Sequence, residues 1–576
     1  MSNAASNASS RPTLWKFHGG LHLPDNKALS NGESITVATL PQRLVLPLQQ
    51  HIGAPAKPLV QVGERVLKGQ LLAQADGFVS APVHASSSGK VVAIEELPVP
   101  HPSGLSAPCI VIQTDGEERW IEREPHDNWS QLDPSELRNV IRDAGIVGLG
   151  GAGFPSFIKL NPGSRTAVDA LILNAAECEP YITCDDRLMR ERADEVIAGA
   201  RIMRHALHAR RCVVGIEDNK PEAYSALKAA LTRLGRSDIE VVQVPTLYPT
   251  GGEKQLIKVL TGKEVPSQGL PIDIGIVCHN VATAAAVHRA VELGEPLISR
   301  VVTITGRAVA QPCNLEVLIG TPISDLLTQC GGTTPQLSRL VLGGPLMGVT
   351  LSDTEMPIIK TGNCVLALTA NEFGNPGPVR PCIRCGECAR VCPASLLPQQ
   401  LYWHSRAKDF DRAQDYNLFD CIECGCCAYV CPANLPLVQY YRFAKTEIWA
   451  QAREKKKSDL ARQRHEFRTE RQEREKAERA AKLAKKKAAL EDKPAPTAAT
   501  TPQETAAAGD EAKKAAIQAA MERAKAKREA AGVAPQNTDN LTPDQQRQID
   551  EAEARRAEKA QQSGAEQGNS SAEDPS

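Results

Sequence analysis

Two copies of one cysteine spacing, a run of short glycine-punctuated strands and a long stretch of alternating helices and strands predict a multidomain chain of α/β and α+β class. The cysteines come first because they are the most specific signal. Cys382, Cys385, Cys388 and Cys392-Pro393 form a C-x₂-C-x₂-C-x₃-C-P run, and Cys421, Cys424, Cys427 and Cys431-Pro432 repeat it. That spacing is the sequence form of a bacterial-type [4Fe–4S] site, and a doubled run crosses over, the fourth cysteine of each copy ligating the other copy's cluster. Cys382, Cys385, Cys388 and Cys431 are therefore expected to hold one cluster, and Cys421, Cys424, Cys427 and Cys392 the other. Each proline breaks the local helix so that the last cysteine can turn away. Tetrahedral zinc needs only four ligands, and the doubled run offers eight thiolates. Cys426, between Cys424 and Cys427, reads as a bystander packed beside the cluster.

The whole chain sets wider bounds. Its 576 residues suffice for three or four domains, and a net charge of −1 gives no global field for nucleic acid. No apolar run approaches the roughly eighteen residues of a membrane span. The N-terminal MSNAASNASSRPT is small and polar, a loose leader without an export signal. Most of the 17 cysteines are expected to stay reduced, in a cytoplasmic protein without disulfides.

Residues 41–125 read as a small β-module, with turns at Gly63, Gly69, Gly77 and Gly89 between period-two strands. The pattern resembles the biotinyl/lipoyl carriers, a barrel-sandwich hybrid. Their modified lysine is missing from the hairpin ADGFVSAP, so the module is expected to be structural. From 126 the pattern turns α/β. Asp133-Pro134-Ser135-Glu136 supplies an N-cap, a proline at the first helical position and an acid at the third. The helix leads into GLGGAGFPSFIKL, where Gly148, Gly150 and Gly153 satisfy G-x-G-x-x-G. A dinucleotide fingerprint has a strand entering that loop, not a helix. The physics of the loop still holds: residues without Cβ let backbone N–H groups approach a phosphate or a flat ring. Beyond residue 445 the composition shifts to Lys, Arg, Glu and Ala, with helix propensity but little to bury, as in a solvated helical or disordered tail.

GLGGAGFPSFIKL, NAAECEP, YPTGGEKQLIKVLTG and NVATAAAV, in this order, resemble the flavin- and NADH-binding subunit of respiratory complex I. The resemblance implies that Gly148, Gly150, Gly151, Gly153 and Lys159 line an FMN and nucleotide-phosphate site. It places Asn174, Glu177 and Glu179 at the flavin and nicotinamide edge, continues the pocket through Gly251, Gly252 and Glu253, and sets Asn280 and Thr283 on the FMN phosphate. Leu149 stands where that family's loop has an arginine, and Ala176 where its acidic turn has an aspartate. Residues 297–350 resemble the soluble-ligand-binding β-grasp module that follows in the same family.

The doubled ferredoxin block, with KFHGGLHLPDNK near the start and the Ala/Lys-rich tail, is similar to the C-type subunit family of Rnf (Rsx) electron-transport complexes. That resemblance implies an N-terminal segment (1–40), a barrel-sandwich module (41–125), a complex I-type FMN/NADH domain (126–296), the β-grasp module (297–350), a connector (351–375), a two-[4Fe–4S] ferredoxin domain (376–445) and a charged tail (446–576). It further implies an NADH-linked oxidoreductase subunit, peripheral on the cytoplasmic side of the inner membrane, with partners that include an iron–sulfur subunit. No side-chain acid or base is expected to be catalytic. Two other readings share parts of the pattern: a soluble flavin and iron–sulfur cobalamin reductase, and a non-enzymatic electron relay or scaffold that has lost nucleotide binding.

Overall fold

The computed structural model describes residues 13–163, 167–236, 238–373, 377–491, 518–519 and 522–523. The expected leader, apart from its last residue, and the tail beyond 491, save those four residues, lie outside the described residues. Two units are present, residues 1–462 and 463–576.

In the first unit, strands Arg43–Pro47, Ser106–Thr114, Gly89–Pro98 and Arg65–Val66 form one antiparallel sheet, and Lys57–Pro58, Leu71–Gln74 and Val83–His84 form another. Leu44, Leu46, Leu72, Val91, Ile110 and Ile112 are buried in its core, one face of an alternating pattern. This is the expected barrel-sandwich module.

The α/β region carries a four-stranded parallel sheet in the order Ile239–Val244, Arg211–Glu217, Ala170–Ala175, Ile276–Asn280. Chain order runs outward from Ala170–Ala175 to one side, then returns to add Ile276–Asn280 on the other. The order reverses between those two strands, and the crevice beyond their carboxyl ends is where open α/β sheets bind ligands. Helix Pro134–Asp143 starts as predicted: Asp133 accepts from Ser135 N, and Glu136 closes the capping box.

The extent of the β-grasp sheet differs from expectation. The β-grasp sheet has the order Thr36–Val37, Cys313–Leu318, Ser299–Thr305, Cys364–Thr369, Leu337–Leu342, Val349–Thr350. Cys364–Thr369 therefore lies at its centre, inside the stretch 351–375 expected as a connector, and all six of its residues are buried. The sequence CVLALT is a short apolar run whose role depends on pairing with strands some sixty and twenty residues away (Thr303↔Cys364, Leu342↔Val365). The segment 1–40 also does more than lead in: Thr36–Val37 pairs with Leu315–Glu316 at the sheet's edge.

The same segment fastens the ferredoxin block to the α/β domain. Gly20 N donates to Val391 O at 3.0 Å, Leu21 pairs with Tyr248, and the His18 ring bonds Cys392 O at 2.9 Å. Lys27, buried, donates to Ile182 O at 2.6 Å. Lys254 meets Asp420 at 3.3 Å, and Gln268 N donates to the same carboxylate at 3.2 Å. Helix Leu437–Glu491 opens in the ferredoxin core, where Leu437, Val438, Tyr441 and Ala444 are buried. It thus starts before the predicted tail boundary at 446. In the second unit, its residues from 463 to 488 are exposed, as the polar composition implies.

Gly19 sits at φ +72°, and a Cβ there would lie 2.5 Å from the Val391 backbone. Gly19→Ala combines left-handed strain with a collision that no side-chain rotation relieves. It is expected to lower stability by about 2 kcal/mol or more and to raise hydrogen exchange selectively across residues 382–431. Uniform exchange across the whole unit would sink that assignment of the segment as a strap.

Candidate flavin and iron–sulfur site

The two cysteine runs, offset by thirty-nine residues (Cys382 to Cys421), fold alike. Arg384 and Glu423 each have φ 57°, and Ser395 and Asn434 have φ 53° and 52°. Short helices Glu387–Arg390 and Cys426–Tyr429 follow, and longer ones begin at Pro398 and Leu437. The repeat in sequence is thus a repeat in backbone. In both copies the residue two places after the first cysteine turns its N–H onto that sulfur: Arg384 N to Cys382 Sγ and Glu423 N to Cys421 Sγ, each at 3.4 Å.

The cysteines gather in two sets that match the expected crossing. Cys382, Cys385, Cys388 and Cys431 line a cavity of about 360 Å³, while Cys392, Cys421, Cys424 and Cys427 line a second, tighter one. Four thiols converging on each cavity fit a cubane cluster, a soft donor set matched to iron–sulfur chemistry. Leu396 N lies 3.4 Å from Cys392 Sγ, an N–H···S bond of the kind that adjusts cluster potentials. The two sites differ in exposure. Cys385 is exposed in the first, whereas Cys392, Cys424 and Cys427 are buried in the second. Cys426 is fully buried beside Cys424, Tyr248 and Val391, packed next to the cluster cavity as expected of a bystander.

The glycine loop lies beside the carboxyl ends of the two central strands. Gly148 N bonds Phe154 O and Gly153 N bonds Gly148 O, closing the loop on itself. Gly150 sits against Asn280, a Cβ on it falling 3.3 Å from the Asn280 Cβ, and Gly151 faces open space. Asn280 caps helix Val281–Glu292 by accepting from Ala282 N, and Thr283 Oγ1 accepts from Leu149 N at 2.9 Å. Asn174 donates to Gly251 O at 2.8 Å, tying the end of strand Ala170–Ala175 to the second glycine turn. Gly251 is required there: a Cβ would come within 2.2 Å of Ala176 O. Gly252 caps helix Glu253–Thr261, and Lys159 pairs with Glu253 while donating to Cys278 O at 2.9 Å. An open backbone strip at Gly150–Gly151 beside a helix N-terminus suits a phosphate and a flat ring, so the residues present fit a flavin mononucleotide.

Glu177 and Glu179, expected at one edge, face different ways. Glu177 turns inward and accepts from Asp185 N at 2.8 Å; burial raises its pKa to about 7, with Lys27 and Lys220 opposing and Asp185 adding to the rise. Glu179 turns to the β-grasp loop, accepting from Met347 N at 2.8 Å and Leu346 N at 3.3 Å, and burial raises it to about 7 as well. Sequence reading missed Asp185, whose carboxylate accepts from Asn280 Nδ2 at 2.6 Å, and Tyr248, whose hydroxyl donates to Cys424 O at 2.7 Å. Asp185 lies in the first turn of helix Cys184–Glu191, where an acid usually only offsets the helix dipole. Tyr248 opens the YPTGGEKQ motif, so its position was visible but its partner, 176 residues away, was not.

The fold and the site define a flavin-type α/β domain joined to a two-cluster ferredoxin block, an electron-transfer architecture. Family profiles agree along the chain: "RnfC Barrel sandwich hybrid domain" over residues 15–117, "Nuo51 FMN-binding domain" over 141–289, "SLBB domain" over 301–350 and "4Fe-4S dicluster domain" over 381–435. The C-type subunits of the ion-translocating oxidoreductase complexes of Pseudomonas aeruginosa and Vibrio cholerae are each 52% identical over 468 residues, 81% of this chain and 60% of theirs. The corresponding protein of Erwinia tasmaniensis is 48% identical over 92% of this chain and 63% of its own. The chain belongs to this RnfC family, and it spans about 60% of the length of the first of these relatives. Among solved structures, an NAD⁺-reducing [NiFe]-hydrogenase matches with 20% identity and a TM-score of 0.42, over 57% of this chain and 63% of that one.

The crossing makes a counter-intuitive prediction. Cys431→Ser removes a ligand of the site built on Cys382, Cys385 and Cys388, so the cluster of the first run should be lost or reduced to three irons while the second survives. Iron content and EPR of the anaerobically reconstituted variant check this; loss of the cluster at Cys421–Cys427 instead would disprove the crossing. A second expectation concerns pH. The folded-state pKa of Glu179 lies above its ordinary 4.5, so between there and about 7 the folded chain holds a proton that the unfolded chain has released. Stability therefore falls as pH rises through that window. Glu179→Gln should flatten the decline by up to about 3 kcal/mol, read from unfolding midpoints between pH 4.5 and 7.5.

Proposed function

We propose that the chain is the peripheral electron-transfer subunit of a membrane-bound Rnf-type oxidoreductase, an NADH-linked enzyme component that passes electrons between NADH, through FMN, and two [4Fe–4S] clusters toward partner subunits. The observation that carries this is the seam between the two halves. Tyr248 packs against Cys178 of the acidic turn and hydrogen-bonds the Cys424 backbone, so the flavin-type crevice abuts the buried cysteine set. A bound flavin would accept an electron pair and release single electrons, which is what one-electron clusters require. The residues themselves bind and orient. Gly150 and Gly151 offer open backbone to the ring and phosphate, Gly148 and Gly153 close the loop that carries them, and Asn280 and Thr283 present the N-terminus of helix Val281–Glu292. Lys159 supplies a cation held in place by Glu253 and Cys278 O. Glu177 and Glu179, which the resemblance sets at the flavin and nicotinamide edge, hold the acidic turn in place through the backbone N–H groups of Asp185, Leu346 and Met347. The eight cysteines hold the clusters.

Among the described residues no helix is long and apolar enough to cross a membrane. We assign the chain to the cytoplasmic side of the inner membrane, with membrane spans and any ion translocation supplied by other subunits, one of them iron–sulfur. The domain boundaries follow the sequence reading, with the β-grasp module extended to Thr369 and the ferredoxin helix started at Leu437. A relay without nucleotide binding is a second reading, favoured by Leu149: its side chain is buried against the core, where a related loop presents arginine.

Reconstitution with iron, sulfide and FMN under anaerobic conditions, followed by NADH, separates the two. Flavin bleaching and reduced-cluster EPR are expected. Silence to NADH, with clusters that dithionite still reduces, leaves only the relay. Lys159→Met should weaken NADH binding about tenfold or more, the loss of a charge-assisted hydrogen bond, measured by titration of flavin fluorescence. Unchanged affinity would remove Lys159 from the nucleotide site.

A further inference from the structure

The two cluster sites are unequal toward solvent, and the surface over the outer one has a definite chemistry. Around the cavity of Cys382, Cys385, Cys388 and Cys431 stand Ile383 and Trp403, 68% and 43% exposed, with Val379 close by in sequence at 60%. Cys385 is itself exposed. Isolated apolar side chains at a surface are ordinary, but here they surround a metal-ligand set that opens to solvent. Arginines accompany them. Arg384 lines the same cavity, Arg406 stacks 5.7 Å from the Trp403 ring, and Arg380 N is bonded to Ala433 O beside Cys431. Among the described residues none of these three arginines pairs with a carboxylate, whereas Arg390, on the same helix as the nearby Glu387, is already neutralised by it. In the inner set Cys392, Cys424 and Cys427 are all buried, Cys424 beside Tyr248 and Val391 and the other two in the ferredoxin core, and they give no comparable access.

We propose that this face is the docking surface for a one-electron protein partner whose own redox group is rimmed by carboxylates. It rests on the electron-transfer reading above and adds the partner's chemistry and its point of entry. A small apolar centre with an unpaired basic rim suits a brief encounter: the apolar patch brings the redox groups together, and the charges steer and orient the approach. One electron passes between the outer cluster and the partner's redox group, with no bond made or broken. The same patch repels a partner with a basic rim.

Cytochrome b5, with acidic residues around its haem edge, serves as probe, and basic cytochrome c as its opposite. Binding of redox-inert zinc-substituted cytochrome b5 to the full chain, reconstituted anaerobically, is measured by calorimetry at 20 mM and 300 mM salt. The affinity should fall at least tenfold between the two, and at least tenfold again in the double variant Arg384→Glu, Arg406→Glu. Position 384 tolerates glutamate, since Glu423 occupies the equivalent site in the second run with the same backbone angle. The absorbance and EPR of both clusters show that the variant is intact. With dithionite-reduced chain, electron transfer to native cytochrome b5 should follow the same salt and charge dependence, while reduction of a small neutral quinone stays unchanged. Absent binding at 20 mM salt, affinity indifferent to salt or to the double variant, or stronger binding of cytochrome c overturns the proposal. Because dithionite supplies the electrons, failure of NADH to reduce the clusters would count against the proposed function and leave this surface standing.

Discussion

Everything downstream depends on holding the ferredoxin block still against the α/β domain. Electron transfer between buried centres depends on their separation, so the joint must be rigid. The joint is built on hydrogen bonds to main-chain carbonyls beside a small apolar cluster. Gly19 and Gly20 lie against Val391, the His18 ring bonds Cys392 O, and Tyr248 reaches Cys424 O. Two of these four anchors, His18 and Tyr248, bond the carbonyl of a ligand cysteine itself. The joint is therefore referenced to the cluster ligands themselves, and small motions of the rest of the domain need not alter the gap.

That arrangement also explains why the inner cysteine set is buried and the outer one open. The strap and Tyr248 cover Cys392, Cys424 and Cys426, while the pseudo-repeat turns the equivalent face of the first run to solvent. Two sites with the same ligand pattern thereby acquire different surroundings. Hydrogen bonds to sulfur and exposure to water are the levers that set cluster potentials, so clusters held in one buried and one solvent-open site would differ in potential.

Local signals were legible and long-range ones were not. The two sets of four cysteines could be read because doubled C-x₂-C-x₂-C-x₃-C-P runs pair in a crossed pattern, and the capping box at Asp133 because a cap is a matter of one turn of neighbouring residues. The four parallel strands showed as apolar runs between helices. The centre of the β-grasp sheet did not, because CVLALT is six apolar residues with no mark of its partners, and only pairing with Ser299–Thr305 and Leu337–Leu342 makes it a central strand. The N-terminal strap was quotable as a motif, yet its glycines explain themselves only against the Val391 backbone.

The acidic turn shows the same division within one motif. In NAAECEP the two glutamates are separated by one residue, yet they part company, because each is drawn to a different set of backbone donors. Glu177 goes to the helix N-terminus at Asp185 and Asp186, and Glu179 to the backbone of the Leu346–Met347 loop. Both are raised toward neutrality by desolvation, and both are held by N–H groups. Glu179 thus joins the α/β domain to the β-grasp module, with Cys178 and Tyr248 beside it on the way to Cys424. A residue that sequence resemblance assigns to the nucleotide edge is, by geometry, also the pin between the flavin-type crevice and the modules that surround it. Its replacement should disturb the seam as well as the pocket.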